Sequence, residues 1–145
     1  MRFEIRELDP LAETPPIPAP PILVVEDEPH SRRIATMALE HAGYRCAQAA
    51  NAAEALAALQ RERPRLVVMD LNLPGTDGLQ LTRWLKEDAL TRDIPVLAVT
   101  AYAMPGDLDI ASEAGCDGYI AKPYDPHALV REVRRLLDAR AHDLA

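Results

Sequence analysis

The chain has 145 residues, 48% of them hydrophobic, and a formal net charge of −7. That is enough for one domain with a proper core, and too apolar for a disordered chain. The acidic balance, with no Lys/Arg run, argues against nucleic acid as a direct partner. The longest apolar runs are far too short to span a bilayer, and the N-terminus lacks the apolar stretch of a secretory signal, so a cytoplasmic protein with no membrane partner is expected. Cys46 and Cys116 form no metal-ligand spacing, which fits a reduced compartment, with Cys46 expected to be buried in a strand-like stretch. His30, His41, His127 and His142 are scattered singly, which leaves no histidine metal site.

Six of the 13 prolines fall in "PLAETPPIPAPP", residues 10 to 21. Such a segment is extended and polyproline-like, without a core of its own. Residues 1–20 are therefore read as a tail and linker, residues 21–140 as the folded domain, and residues 141–145, "AHDLA", as a stub. No output domain is expected to follow.

Within the domain two periods alternate. "ILVV" (22 to 25), "LVVM" (66 to 69) and "VLAV" (96 to 99) are continuous β-prone apolar runs, as in strands buried on both faces of a parallel sheet. "YRCAQA" (44 to 49) alternates apolar and polar residues and suits an edge strand. "GYIA" (118 to 121) predicts a short fifth strand.

A helical pattern follows each strand. Pro29 opens the first, with Ile34, Met37, Ala38 and His41 or Ala42 along one side before Gly43 stops it. Asn51 and Glu54 make a capping-box-like start to the second, which is expected to bury Leu56 and Leu59. Leu79, Thr82 and Leu85 mark the third, with the lone Trp84 near its stripe and read as packing. Pro105 opens the fourth and Gly115 ends it. In the fifth Asp125 caps, Pro126 takes the first turn, and Leu129, Val130, Val133, Leu136 and Leu137 form the stripe. Five alternations of strand and helix predict a doubly wound α/β domain with right-handed crossovers and helices on both faces of a parallel sheet.

In such a sheet ligands bind at the C-terminal ends of the strands. The first strand runs into Glu26 and Asp27, the third into Asp70, the fourth into Thr100 and the fifth into Lys122. The stretch "LVVMDLNLPGTDG" (66 to 78) delivers a carboxylate to the end of an apolar strand before Pro74, Gly75 and Gly78 break the chain. A single Asp or Thr there is commonly a turn or helix cap. Three carboxylates, a hydroxyl and an ammonium on one rim are harder to explain that way, because like charges in proximity cost energy unless a cation or proton offsets them. Hard oxygen ligands with no His or Cys suit Mg²⁺, with Mn²⁺ as a substitute. Glycines at 43, 75, 78, 106, 115 and 118 form neither G-x-G-x-x-G nor a P-loop, so no nucleotide cradle is present. A carboxylate beside Mg²⁺ can instead attack phosphorus and form an acyl phosphate. Lys122 and Thr100 would then hold the phosphoryl oxygens.

"LVVEDE", "LVVMDLNLPGTDG", "VLAVTAYA" and "GYIAKP", in this order and spacing, resemble the receiver domain of bacterial two-component response regulators. The resemblance covers about residues 21 to 140. It implies a flavodoxin-like five-stranded parallel sheet of order 2-1-3-4-5, with Asp70 as phosphoacceptor. It further implies Asp27 as a direct Mg²⁺ ligand, Glu26 acting through water, and the backbone carbonyl of Asn72 as the remaining protein ligand. Thr100 and Lys122 would bind the phosphoryl group, Tyr119 would be the aromatic that reports the state, and Lys122–Pro123 would be a cis peptide. Glu26 departs from the commoner Asp. "TAYAMPGD" with "AGCDGYIAKP" is similar to the DivK-like single-domain regulators of cell-cycle control.

The resemblance implies a phospho-accepting signalling domain that catalyses only its own phosphorylation and dephosphorylation. Its expected partners are a sensor histidine kinase, a histidine phosphotransferase or a downstream regulatory kinase. It would act as a monomer or as a phosphorylation-dependent dimer. An aspartyl-nucleophile phosphohydrolase is the alternative; the dehalogenase-like class wants D-x-D, and Asp70-Leu71-Asn72 lacks the second acid. A flavin-binding electron carrier fits poorly with 4% aromatics and no phosphate loop.

Overall fold

The computed structural model describes residues 19–73, 78–101 and 104–144. The proline-rich tail up to residue 18 and the Pro74–Gly75 turn lie outside the described residues. Five strands form one parallel sheet: β1 (Ile22–Val25), β2 (Cys46–Ala49), β3 (Leu66–Asp70), β4 (Val96–Thr100) and β5 (Gly118–Ala121), in the order β2-β1-β3-β4-β5. Between and after them run α1 (Pro29–His41), α2 (Ala52–Arg61), α3 (Gly78–Glu87), α4 (Pro105–Ala114) and α5 (Pro126–Leu144). The expected doubly wound α/β architecture and strand order are both present. The last helix continues to Leu144, so residues 141–144 belong to it.

Register aligns the strands so that their C-terminal ends share one edge. Val25 lies opposite Met69 of β3, Asp70 opposite Val99, and Thr100 opposite Ala121. The three continuous apolar strands are the central ones and are buried throughout. The alternating β2 pairs only with β1 and is the edge its pattern predicts, though it begins at Cys46 and not at Tyr44.

The sheet divides the core in two. On one face Val67, Met69 and Ala98 meet α2, α3 and α4 through Ala58, Leu81, Leu85 and Ala111. On the other, Val24, Val68 and Val99 meet α1 and α5 through Ala35, Leu39, Leu129 and Val133. The fifth helix buries Leu129, Val133 and Leu136 as its periodicity predicts, with Val130 and Leu137 at the margin.

The stripe expected on the first helix needs correction. Ile34 and Met37 are exposed, and α1 buries Ala35, Thr36 and Leu39 instead. Likewise α2 turns Leu56 outward and buries Ala55 and Ala58, with Leu59 packed at the edge of the core. Trp84 is 44% exposed and is not a core residue. The small residues win because an alanine face lets a helix lie close on the sheet, where a row of leucines would hold it away.

The helix starts follow their caps. Glu28 caps α1, its carboxylate accepting from His30 N at 3.1 Å and Ser31 N at 2.6 Å. In α2, Asn51 accepts from Glu54 N at 2.9 Å, while the Glu54 carboxylate accepts from Ala50 N at 2.8 Å. Asp125 accepts from His127 N at 2.8 Å before α5. Gly115 ends α4 at φ +105°, a left-handed position that a side chain would strain.

Candidate functional site

The first strand stays fully buried through Val25 and then delivers Glu26, Asp27 and Glu28 in succession. Because Glu28 takes the capping role of α1, Asp27 is left exposed and open to a ligand. Glu26 is 7% exposed and held from several directions. Its Oε2 accepts from Glu28 N at 3.2 Å, its Oε1 from Lys122 Nζ at 2.7 Å, and its backbone carbonyl from the Arg32 guanidinium at 2.8 Å.

Asp70 closes β3 with 2% of its surface exposed. Its Oδ1 accepts from Asn72 N at 2.9 Å, which turns the carboxylate back over the strand end, and its Oδ2 lies 3.6 Å from Lys122 Nζ. Gly78 packs directly under it: a Cβ there would stand 2.2 Å from the Asp70 carbonyl oxygen and 2.8 Å from Leu71 Cα. The glycine thus allows α3 to start hard against the phosphoacceptor candidate, a tighter constraint than the chain-breaking role expected of it.

Thr100 ends β4 and is 3% exposed; its hydroxyl donates to Asn72 Oδ1 over a long 3.5 Å. Lys122 N donates to the Thr100 carbonyl at 2.7 Å, tying the β5 end to the β4 end, and the Lys122–Pro123 peptide is cis. Tyr119 is half-buried against the α2–α3–α4 core. Burial and the Asp107 charge push its phenol above the ordinary value, while a hydrogen bond with Thr100 pulls the other way.

Oxygens of Glu26, Asp27 and Asp70 all lie within 4.8 Å of one another. At an effective dielectric near 20, two unit charges that far apart repel by about 3 kcal/mol before further screening. Burial, foremost, and then the Asp70 carboxylate raise Glu26 above the usual glutamate range against the pull of Lys122. Burial alone would lower the Lys122 ammonium, but its hydrogen bond to Glu26 and the charges of Asp70 and Glu26 outweigh that and raise it. One ammonium thus serves two buried carboxylates. The oxygen-only donor set, with charge in excess of its single counter-ion, fits a hard divalent cation.

Two contributors were not singled out from the sequence. Arg32 anchors the Glu26 carbonyl from one turn into α1. Tyr124 packs into the α1–α5 core, where burial and the nearby Glu26 charge raise its phenol, and it lines an open depression of about 440 Å³ beside Lys122. Only the aromatic placed after Lys122-Pro123 signalled Tyr124; nothing in the local pattern marks Arg32.

The sequence matches the response regulator receiver domain over residues 22–134. This chain belongs to that family. Among curated relatives, the polar-differentiation response regulator DivK of Brucella anthropi is 37% identical over 116 residues, 80% of this chain and 94% of that protein. The phosphate regulon transcriptional regulatory protein PhoB of Pseudomonas aeruginosa is 41% identical over 116 residues, 80% of this chain. The match spans 51% of that regulator, so this chain corresponds to about half its length. A crystal structure of a CheY-like receiver domain protein from Methanospirillum hungatei superposes with a TM-score of 0.79 at 30% identity, covering 86% of this chain and 98% of that one. The receiver domain of a signal transduction histidine kinase from Syntrophus aciditrophicus gives 0.77 at 37% identity, covering 83% and 92%. Receiver domains are signalling domains that work with histidine kinases or phosphotransferases. No helix among the described residues is long and apolar enough to cross a membrane.

Proposed function

We propose that this receiver domain accepts a phosphoryl group on Asp70 from the phosphohistidine of a sensor kinase or phosphotransferase, in a Mg²⁺-dependent reaction. It then signals through phosphorylation-dependent contact with a protein partner. The observation that carries this reading is a nearly inaccessible carboxylate placed 3.6 Å from an ammonium and within 4.8 Å of two further carboxylates. No strand needs such an ending for stability.

Asp27, Asp70 and the Asn72 backbone carbonyl would hold the ion directly, and Glu26 through water. Bound there, Mg²⁺ supplies positive charge against which carboxylates and phosphoryl oxygens can crowd together. An Asp70 carboxylate oxygen attacks phosphorus, forming a P–O bond as the P–N bond to the donor imidazole breaks. The bonding pair stays with the ring nitrogen, which takes up a proton from water. Lys122 and Thr100 donate to the phosphoryl oxygens as they arrive. Attack by water later cleaves the acyl phosphate, releasing inorganic phosphate and restoring the carboxylate. The depression beside Lys122, with the exposed Ile34 on its border, gives the donor an apolar approach.

Acetyl phosphate and Mg²⁺ should add one phosphoryl group, and only at Asp70. Mass spectrometry of wild type and Asp70→Asn tests this. Undiminished labelling of the variant, or equal labelling after removal of divalent ions, would overturn the reading.

A further inference from the structure

Within the carboxylate cluster, Asp27 differs from its neighbours in how it is held. Glu26 is fixed by Lys122 Nζ and Glu28 N, and Asp70 by Asn72 N. Asp27 is exposed, and no hydrogen bond or ion pair among the described residues reaches its carboxylate. The direction of that carboxylate is therefore set by its backbone.

Two peptide planes bracket the Asp27 Cα, and their relative orientation is its φ and ψ. Each plane carries one carbonyl, that of Glu26 before the Cα and that of Asp27 after it. The Arg32 guanidinium reaches both. A single nitrogen donates to the Glu26 carbonyl at 2.8 Å and to the Asp27 carbonyl over a long 3.5 Å. No other donor among the described residues reaches either carbonyl. The one nitrogen thus ties the two planes together and restricts rotation at the residue between them.

Helix stability does not account for a cation here. The first turn of α1 meets the positive end of the backbone dipole, where a carboxylate is favoured and a guanidinium is not. Arg32 is half-buried, its contacts lie back over the β1–α1 turn, and it has no carboxylate partner among the described residues.

We propose that Arg32 is a positioning residue for the divalent cation: it holds the Asp27 backbone so that the carboxylate faces Asp70 before the ion arrives. The inference rests on the Mg²⁺ reading given above. It also makes the sign of a mutational effect diagnostic. Arg32 and Mg²⁺ carry like charge, so charge alone predicts that removing the guanidinium tightens binding. Losing a hydrogen bond that orients a ligand predicts the reverse, typically ten- to a hundredfold in metal affinity.

Titration calorimetry of the full chain with Mg²⁺ separates the two. Arg32→Met should bind about ten- to a hundredfold more weakly than wild type. Arg33→Met removes the same charge from the neighbouring exposed position and should bind as wild type does, or slightly more tightly. Arg32→Lys keeps the charge but not the planar fork, and should show the same weakening in smaller measure. That variant decides the matter if Arg32→Met does not fold. A second readout needs no metal. In chelator, backbone ¹⁵N order parameters at Asp27 and Glu28 should stand near about 0.85 in wild type and fall below about 0.6 in Arg32→Met. Wild-type or tighter Mg²⁺ affinity in both Arg32 variants overturns the proposal, as does weaker binding with the order parameters unchanged. Equal weakening in Arg33→Met overturns it too, because the effect would not depend on the carbonyl contacts. If wild type itself binds no Mg²⁺, the proposed function fails and this inference falls with it, a result distinct from all of these.

Discussion

Lys122 lies 2.7 Å from Glu26 and 3.6 Å from Asp70, so its ammonium is committed to the glutamate and only adjacent to the aspartate. A glutamate is one methylene longer than the commoner aspartate, and that arm lets residue 26 reach across the rim. On phosphorylation the ammonium would exchange Glu26 for a phosphoryl oxygen, which leaves the glutamate carboxylate to water and metal. The ionisation of Glu26 is itself unfavourable in the folded protein, because burial and Asp70 raise it. A carboxyl raised on folding contributes stability that is fully present below its unfolded value and lost as pH rises through its folded value. Metal-free Glu26→Gln should therefore melt above wild type at pH 7, by about 2–4 °C if the relief is worth 1 kcal/mol in a chain of this size. The difference should vanish below the ordinary glutamate pKa. Thermal melts in chelator across that range check it; a variant less stable than wild type at pH 7 would show that the Lys122 bond outweighs the burial.

At the scale of elements, the switch proposed for this domain would run through β4 and β5. Thr100 ends β4, and Tyr119 lies on the paired β5 two residues before Ala121, the residue opposite Thr100. A phosphoryl group on Asp70 offers Thr100 a new acceptor, and its movement would free space for the Tyr119 ring. The face that would change is α4, β5 and α5. Losing one charge-assisted hydrogen bond of about 1.5–3 kcal/mol should weaken such a switch about ten- to a hundredfold. Thr100→Ala is expected to accept phosphate at Asp70, yet bind its partner nearly as the unphosphorylated protein does; titrating a partner against the fully phosphorylated variant decides this. How well the elements were legible depended on what their residues report. The central strands declared themselves because burial on both faces leaves unbroken apolar runs, and their charged ends located the rim. Helix orientation was less legible. Ile34, Met37 and Leu56 satisfy a helical period, but Ala35, Ala55 and Ala58 face the sheet, and periodicity weighted by hydrophobic size favours the wrong stripe. Arg32 and the close approach of Gly78 depend on tertiary contacts that no local pattern encodes.

For the molecule as a whole, the site is a local excess of negative charge that folding must tolerate. An ion bound there should stabilise the fold by about 2.7 kcal/mol at 100 times its dissociation constant. In a chain of this length that is a rise in melting temperature of roughly 5–11 °C. Asp27→Ala, which removes an exposed carboxylate from the cluster, should respond far less at the same Mg²⁺ concentration. Calorimetry with and without Mg²⁺ separates the cases, and equal shifts in both proteins would count against the site. The parallel sheet also imposes a polarity on everything around it. Because each helix runs back against its strand, all five begin at the acidic rim and end at the basic one. Their backbone dipoles are therefore co-aligned, each with about half a positive charge at the rim and half a negative charge at the far end. The side chains are distributed in the reverse sense, carboxylates over the positive poles and guanidinium groups around the negative ones. The side-chain charges are thus opposite in sign to the partial charges of the helix ends they surround, the arrangement that stabilises both within the first and last turns. A phosphoryl dianion on Asp70 would set two negative charges at the pole where all five helices begin, which makes the charge at that edge the quantity a partner would read.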